Sequence, residues 1–478
     1  MSAVATTTGP AARERGDERP GAIPAAVWRL AAVIAFGAFM SGLDTSVVNV
    51  GLDAIARDLD GSLAAVQWVA NGYLVALAVS LPACGWLVRR LGAGRLWLWA
   101  LAGFTVASGL CALAPDLPSL IALRVLQGLT AGLLIPAGQT VLGQAVGPER
   151  LGRVMATLGV AVTLAPALGP TVGGLLLEVA PWPWLFLLNL PFGIVALVAG
   201  RRLVPRGDAT AGVPLDRGGL LLLSAGLPLV VLGATVWGEQ RTLATPGALL
   251  PLLLGGAALA LFVGRSRGRT DPLLDLGLLR DRRFAAACAT SAFAGATLFG
   301  AGLVLPLFFQ LARGEDAMTS GLSLILLGLG STAALPLTGR LVDRFGGGPV
   351  SAWGGLAAVA TTLPFALVPV DAPWWLLQLL LLVRGVALAL AMMPAMTAAY
   401  KAVRPAQLPD ASTQVNIVLR IGGALGGALF AVVLAGALPD GPTAAFHQAF
   451  WWLTGASLLG LAAALWLTVA ERCAARDG

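Results

Sequence analysis

The sequence predicts an all-α integral membrane protein with fourteen spans, arranged as two six-helix bundles around an inserted central pair. Three observations carry this expectation. Hydrophobic residues make up 57% of the 478-residue chain and charged residues only 12%, a balance unlike that of soluble domains. Apolar stretches of about 20 residues, each long enough to cross a hydrocarbon core of roughly 30 Å, recur from end to end. Basic loop motifs also repeat between the two halves.

The spans are expected near 28–50, 66–88, 96–115, 118–142, 154–177, 184–200, 218–237, 246–264, 284–311, 321–339, 349–369, 373–400, 413–436 and 447–470. This divides the chain into a cytoplasmic tail at 1–27, a first bundle at 28–200 and a linker with two extra spans at 201–283. A second bundle at 284–470 and a short tail at 471–478 follow. The leader mixes Arg, Asp, Glu and Pro, and the first apolar stretch is too long for a signal-peptide core, so no cleavable signal is expected.

Charge sets the orientation. The net charge is +7, but the basic residues are spread among short loops rather than gathered into a stripe, which argues against a nucleic-acid partner. With both termini inside, only Arg57, Arg241 and Arg313 of the 31 Lys and Arg residues fall in outer loops, and Arg124, Arg384 and Arg420 fall within spans. This asymmetry satisfies the positive-inside rule and requires an even number of spans. The expected location is therefore the cell membrane, crossed many times, with both termini cytoplasmic. Cys84, Cys111, Cys288 and Cys473 show no CxxC spacing, and His447 is the single histidine. Neither a disulfide framework nor a metal site is expected. No HExxH, paired aspartates, nucleotide-binding glycine loop or Cys/His cluster occurs, so an enzyme is disfavoured.

The two halves echo each other. GWLVRRLGAGRLWL (Gly85 to Leu98) follows the second span and GRLVDRFGGGPVSAW (Gly339 to Trp353) follows the tenth. Arg124 and Arg384 also occupy equivalent places. Duplicated six-helix halves with a midplane site between them are the architecture of an alternating-access transporter.

Asp44 is the only acid well inside an expected span, and Thr45, Ser46 and Asn49 lie beside it. An intramembrane carboxylate marks a functional site by default. Counting from the expected outer ends puts Asp44 and Arg124 both roughly 9 Å below the outer surface at 1.5 Å per residue. Equal depth allows them to pair, which is the least costly way to hold either charge there. Proximity of Arg124 favours the ionised carboxylate, whereas separation in a dry setting favours the protonated one. A permanent ion pair that merely fixes two helices is the alternative. In the fifth span, Gly169, Gly173 and Gly174 permit close helix approach, while Pro166 and Pro170 favour a kink; Gly422, Gly423, Gly426 and Gly427 echo this in the thirteenth.

At LDTSVVNV (Leu43 to Val50), RVLQG (Arg124 to Gly128), GPTVGG (Gly169 to Gly174) and WPWLFLLNLPFG (Trp182 to Gly193), the chain resembles the major facilitator superfamily. More narrowly it is similar to the fourteen-spanner drug:proton antiporters. The resemblance covers nearly the whole chain and implies the major facilitator fold. It also implies efflux of hydrophobic or amphipathic small molecules, such as antibiotics, driven by the proton gradient without a cofactor. Asp44 and Arg124 would carry the coupling, and Pro166, Gly169, Pro170, Gly173 and Gly174 would form the antiporter motif. The cytoplasmic gate would comprise Gly85, Arg89, Arg90, Gly92, Arg95, Gly339, Asp343 and Arg344. Asp343 and Arg344 keep the family's order in this loop, but Arg89 stands where the family has an aspartate, with Glu149 as a nearby substitute.

Candidate substrate contacts are Asn49, Asn71, Tyr73, Gln127, Gln310, Gln414, Asn416 and Arg420. Some relatives use a second membrane carboxylate for dicationic drugs, and its lack here argues against strong dication selectivity. The expected partners are a small-molecule substrate, protons and the bilayer, with the chain acting as a monomer. A proton-coupled uptake symporter is the nearest rival, and a non-transporting sensor is another.

Overall fold

The computed structural model describes residues 23–209, 214–240, 245–267, 269 and 272–477. Most of the expected N-terminal tail (1–22) and Arg241 lie outside the described residues, as does the side chain of Pro166. The described chain forms fourteen helical rods.

The first bundle holds α1 (Ala25–Asp58), α2 (Leu63–Ser80, continued through Leu81–Ala83 by Cys84–Leu91), α3 (Ala93–Cys111), α4 (Leu117–Ala145), α5 (Leu151–Val179) and α6 (Asn189–Leu203, preceded by Trp184–Leu187). The inserted pair is α7 (Arg217–Gln240) and α8 (Pro246–Ser266). The second bundle holds α9 (Arg282–Leu307, ending in a π turn at Phe308–Ala312), α10 (Ala317–Phe345), α11 (Gly347–Leu367), α12 (Trp374–Lys401), α13 (Leu408–Ala437) and α14 (Pro442–Asp477).

Local chemistry starts and stops these rods. Asp116 and Ser119 form a reciprocal capping box at the start of α4, and Asp281 and Asp316 accept backbone N–H bonds at the starts of α9 and α10. Such caps satisfy donors that a helix leaves open. Gly92 and Gly346, at matching places in the repeated loops, take φ of 87° and 89°. A side chain would be strained at either turn.

Among the described residues, twelve helices are long and apolar enough to cross a bilayer, and the bent α5 makes a thirteenth. The remaining rod, α3, has 19 residues and carries Arg95 and two tryptophans, which explains why it is less apolar than an expected fourteenth span. Two further differences concern helix ends. The first helix runs to Asp58 rather than stopping near 50, and α14 continues through most of the tail expected at 471–478.

Packing repeats the duplication. In the first bundle α1 lies on α5 and α2 on α4; in the second α9 lies on α13 and α10 on α12. The bundles meet where α5 packs on α10 and where α2 and α4 meet α13. The inserted pair breaks the symmetry, because α7 covers the seam between α2 and α13. Ser224 of α7 donates to the Val79 carbonyl at 2.8 Å. The linker before α7 is held by Asp216. Burial works against its charge, but the Gly219 N–H and the Arg265 guanidinium outweigh that and keep its carboxyl below the usual range.

The buried apolar clusters distinguish the two ends of the molecule. At the end bearing the repeated basic loops, one continuous cluster joins both bundles, from Leu30 and Trp97 to Met393, Tyr400 and Leu408. Toward the other end, the first bundle has its own cluster around Val47 and Phe186, and the second has another around Phe308 and Phe450. The basic end is therefore packed shut, while the opposite end is not joined by a common core.

Two polar braces lie at the shut end. Asp343 of α10 accepts from Gly152 N at 2.9 Å and Arg153 Nε at 3.0 Å on α5, with Lys401 Nζ at 3.5 Å. In the other repeat Arg89 pairs with Asp410 at the start of α13 and donates to the Leu273 carbonyl. The substitute acid is thus Asp410, not Glu149, which is exposed and forms no ion pair among the described residues. Gly85 makes room for it, since a Cβ there would stand 2.6 Å from Asp410 Oδ1. Gly339 similarly permits α5 to approach, its notional Cβ lying 2.7 Å from Arg153 Cα. Arg90, Arg95 and Arg344 are exposed and stand outside both braces, Arg90 over Trp86 and Arg344 over Phe345.

The half-buried Arg89–Asp410 pair yields a charge-reversal prediction. Arg89→Asp alone sets two carboxylates together and is expected to destabilise the folded protein by about 1–3 kcal/mol. Adding Asp410→Arg should recover most of that loss. Thermal unfolding of the four forms measures the coupling, and additive effects would show that the contact does not brace the seam.

Candidate functional site: a buried charge network in the first bundle

Asp44 lies inside α1 and is 1% exposed, so its charge depends on neighbouring donors. Three reach it. Arg124 Nη1 of α4 donates to Oδ2 at 2.6 Å, while Gln127 Nε2 and Asn189 Nδ2 donate to Oδ1 at 3.1 and 2.7 Å. The same Arg124 nitrogen reaches Gln127 Oε1 at 2.7 Å, and Arg124 Nε donates to the Val69 carbonyl of α2 at 3.1 Å. The aromatic face of Tyr73 lies 4.2 Å from the guanidinium carbon, with Phe186 at 5.6 Å. Cationic stacking of this kind adds to the ionic contact.

A further layer fixes these groups. Asn189 Nδ2 also donates to Ser108 Oγ at 3.0 Å, and that hydroxyl donates to the Phe186 carbonyl at 2.9 Å. The Tyr73 hydroxyl meets Ser41 Oγ at 3.0 Å. Sequence reading missed Asn189, Ser108 and Ser41 as members of the network. Asn189 was visible within LNLPFG at the start of α6, but its spacing gave no indication that it would turn toward α1.

The expected pair forms, although the helix ends differ from the expected span ends. The first helix extends to Asp58, so Asp44 is deeper from its outer terminus than Arg124 is from Leu117.

The fifth helix packs beside this network. A Cβ at Gly169 would lie 2.1 Å from Ser46 Oγ, and one at Gly173 3.3 Å from the Val47 carbonyl oxygen. Gly174 does not contribute to the contact, because its added Cβ would meet nothing within 4 Å. The segments Leu151–Ala165 and Leu168–Val179 bend by 45°, as expected where a proline removes a backbone donor and crowds the preceding turn. Pro170 itself is exposed.

The expected substrate contacts separate into distinct environments. Tyr73 and Gln127 are engaged in the charge network. Asn416 donates to Gln139 Oε1 at 2.7 Å, and Gln414 donates to the Asp275 carbonyl at 2.8 Å. These bonds tie α13 to α4 and to the linker. Asn49 and Asn71 are exposed, while Gln310 and Arg420 are half-buried; none makes a hydrogen bond among the described residues. Among the expected substrate contacts, Arg420 and these amides make no hydrogen bond within the described residues, and Gln414 Oε1 also lacks a partner there.

This geometry pairs a buried acid of α1 with a buried arginine of α4 in the first bundle. Together with the two related six-helix bundles, it defines a transporter of the alternating-access class. The family model for the Major Facilitator Superfamily matches residues 34–427. The chain belongs to that superfamily.

It is 36% identical over 430 residues to the multidrug resistance protein B homolog of Mycobacterium tuberculosis, covering 89% of this chain and 80% of the relative. It is 33% identical over 368 residues to the putative multidrug resistance protein MdtD of Klebsiella pneumoniae, covering 76% and 77%. Among solved structures, the human organic anion transporter MFSD10 aligns with a TM-score of 0.64 at 16% identity, covering 92% of this chain and 99% of that one. The proton:xylose symporter XylE, bound to a deoxyglucose derivative, gives 0.63 at 16%, covering 92% and 95%. At these identities the solved structures support the shared fold.

Removing Asp44 or Arg124 alone leaves its partner buried and uncompensated, an expected loss of about 3–5 kcal/mol. Asp44→Ala combined with Arg124→Ala should cost less than the sum of the single changes. Unfolding in detergent tests this coupling, which would be missing if each residue acted only through separate packing.

Proposed function

We propose that this protein exports hydrophobic or amphipathic small molecules, including antibiotics or toxic metabolites, across the cell membrane in exchange for inward protons. The observation that carries the reading is the buried carboxylate of Asp44, held by Arg124, Gln127 and Asn189 within the first bundle. The names of the M. tuberculosis and K. pneumoniae relatives support drug efflux as the cargo class. Both termini are assigned to the cytoplasm by the arginine asymmetry, so the shut basic end is cytoplasmic.

Asp44 is the proton carrier in this scheme. In the conformation described, its carboxyl group accepts from Arg124, Gln127 and Asn189. Protonation removes the charge that attracts Arg124, loosening the contact between α1 and α4. The work of moving one charge through about 100 mV, roughly 2.3 kcal/mol, sets the scale that this change must match. The α1–α5 contact lies beside the network, allowing a change at Asp44 to alter the approach of the bent fifth helix. Opening the cytoplasmic end then requires the Asp343 and Arg89 braces to part. Arg420, Asn49, Asn71 and Gln310 supply polar groups for cargo, and the working unit is a monomer.

The deciding experiment is transport in proteoliposomes under an imposed proton gradient. Substrate should move against the inward proton flow, whereas co-directional movement would establish the uptake reading. Asp44→Asn should abolish gradient-driven movement while preserving folding, and full transport by that variant would remove Asp44 from the mechanism. Gly169→Val should slow transport at least about tenfold, because overpacking of this size typically costs 1–3 kcal/mol. Unchanged turnover would show that the α1–α5 contact does not need to slide.

A further inference from the structure

Arg384 of α12 occupies the place in the second bundle that Arg124 occupies in the first, but its surroundings differ. It is 6% exposed, and its one hydrogen bond among the described residues runs from Nη1 to Thr362 Oγ1 on α11. Arginine has five N–H donors and keeps its charge in proteins. The acids of the second bundle occur at helix ends or in loops, including Asp343, Asp371 and Asp410. Among the described residues, none forms an ion pair with Arg384.

The guanidinium borders a cavity of about 140 Å³ among α9, α10, α11 and α12. Thr297 contributes a second polar side chain, while Leu298, Leu305, Leu327 and Leu388 make most of the remaining wall apolar. A buried cation in such a setting is costly unless an anion compensates it. The cavity is also larger than a single water site, since water has a share of roughly 30 Å³ in the liquid.

We infer that this cavity binds a small anionic group, with Arg384 as its counter-ion and Thr362 as the residue that aims the guanidinium. The ligand is a halide-sized ion or a carboxylate. A free anion and an acid group carried on a cargo molecule satisfy the same chemistry. This assignment is independent of transport direction and of proton carriage by Asp44, because it concerns the opposite bundle.

The test uses the full chain in nanodiscs at constant ionic strength. Sodium bromide or sodium acetate replaces sodium isethionate, whose bulkier anion carries no carboxylate and provides the reference. Wild-type protein should show a saturable rise in its melting midpoint with at least one probe, and Arg384→Gln should remove that rise. A response to both probes assigns the site to free small anions; a response to acetate alone assigns it to a planar carboxylate. Thr362→Val should weaken the response without eliminating it. Should Arg384→Gln fail to fold, Arg384→Lys supplies the comparison, with affinity expected to fall about tenfold or more because the planar fork is lost. A wild-type midpoint insensitive to both anions overturns the inference, as does an equal response or affinity in the folded Arg384 variant.

Discussion

Neutralising the Asp44 carboxylate is the constraint around which the first bundle is arranged. The charge is excluded from water, so its stabilisation must come from fixed donors. Arg124 and Gln127 come from α4, Asn189 comes from α6, and Arg124 is itself held by the Val69 carbonyl and Tyr73 ring of α2. Ser108 adds α3 through Asn189. One carboxylate thus links five helices. Such connected bonds favour alternative arrangements of the whole network over independent movement of a single side chain, because a partly satisfied buried network is especially unfavourable.

The spans were legible because lipid demands long apolar helices, a constraint strong enough to survive without knowledge of tertiary contacts. Their ends were less legible. The first helix continues past the apolar run through Asp53 and Arg57, whose side chains are largely exposed and pair with each other at 2.8 Å. This extension moves the helix terminus away from Asp44, and the residue still meets Arg124 as expected. Pairwise charge chemistry was thus readable, while the helix crossing that realises it was not. The distributed donors were harder still to find: Asn189 is separated from Asp44 by 145 positions, and no local periodicity specifies that contact.

The basic end shows why a departure from a motif need not remove its mechanical role. Arg89 takes the place expected for an acid, but Asp410 supplies the opposite charge from α13, 321 positions away. The repeated braces consequently have opposite polarity. One presents Asp343 to the backbone and Arg153 of α5; the other presents Arg89 to Asp410. What the duplication retains is a bond between bundles, rather than the identity of the residue that carries each charge.

The inserted pair supplies a physical context for that inversion. A carboxylate acceptor at the first loop could receive directly from the start of a neighbouring helix, but a guanidinium requires acceptors. Asp410 provides one and the Leu273 carbonyl another. Leu273 belongs to the segment following α8, where the Asp275 carbonyl also accepts from Gln414. That segment packs its Leu273 and Leu274 side chains with Leu81, Leu223, Phe262 and Ile417. The apolar seam therefore positions a backbone acceptor for the polar brace. Opening this side of the molecule must break both the ion pair and the linker contact, whereas the Asp343 side has no corresponding inserted helix pair. The additional helices thus change the local contacts of one brace while preserving the paired-bundle architecture.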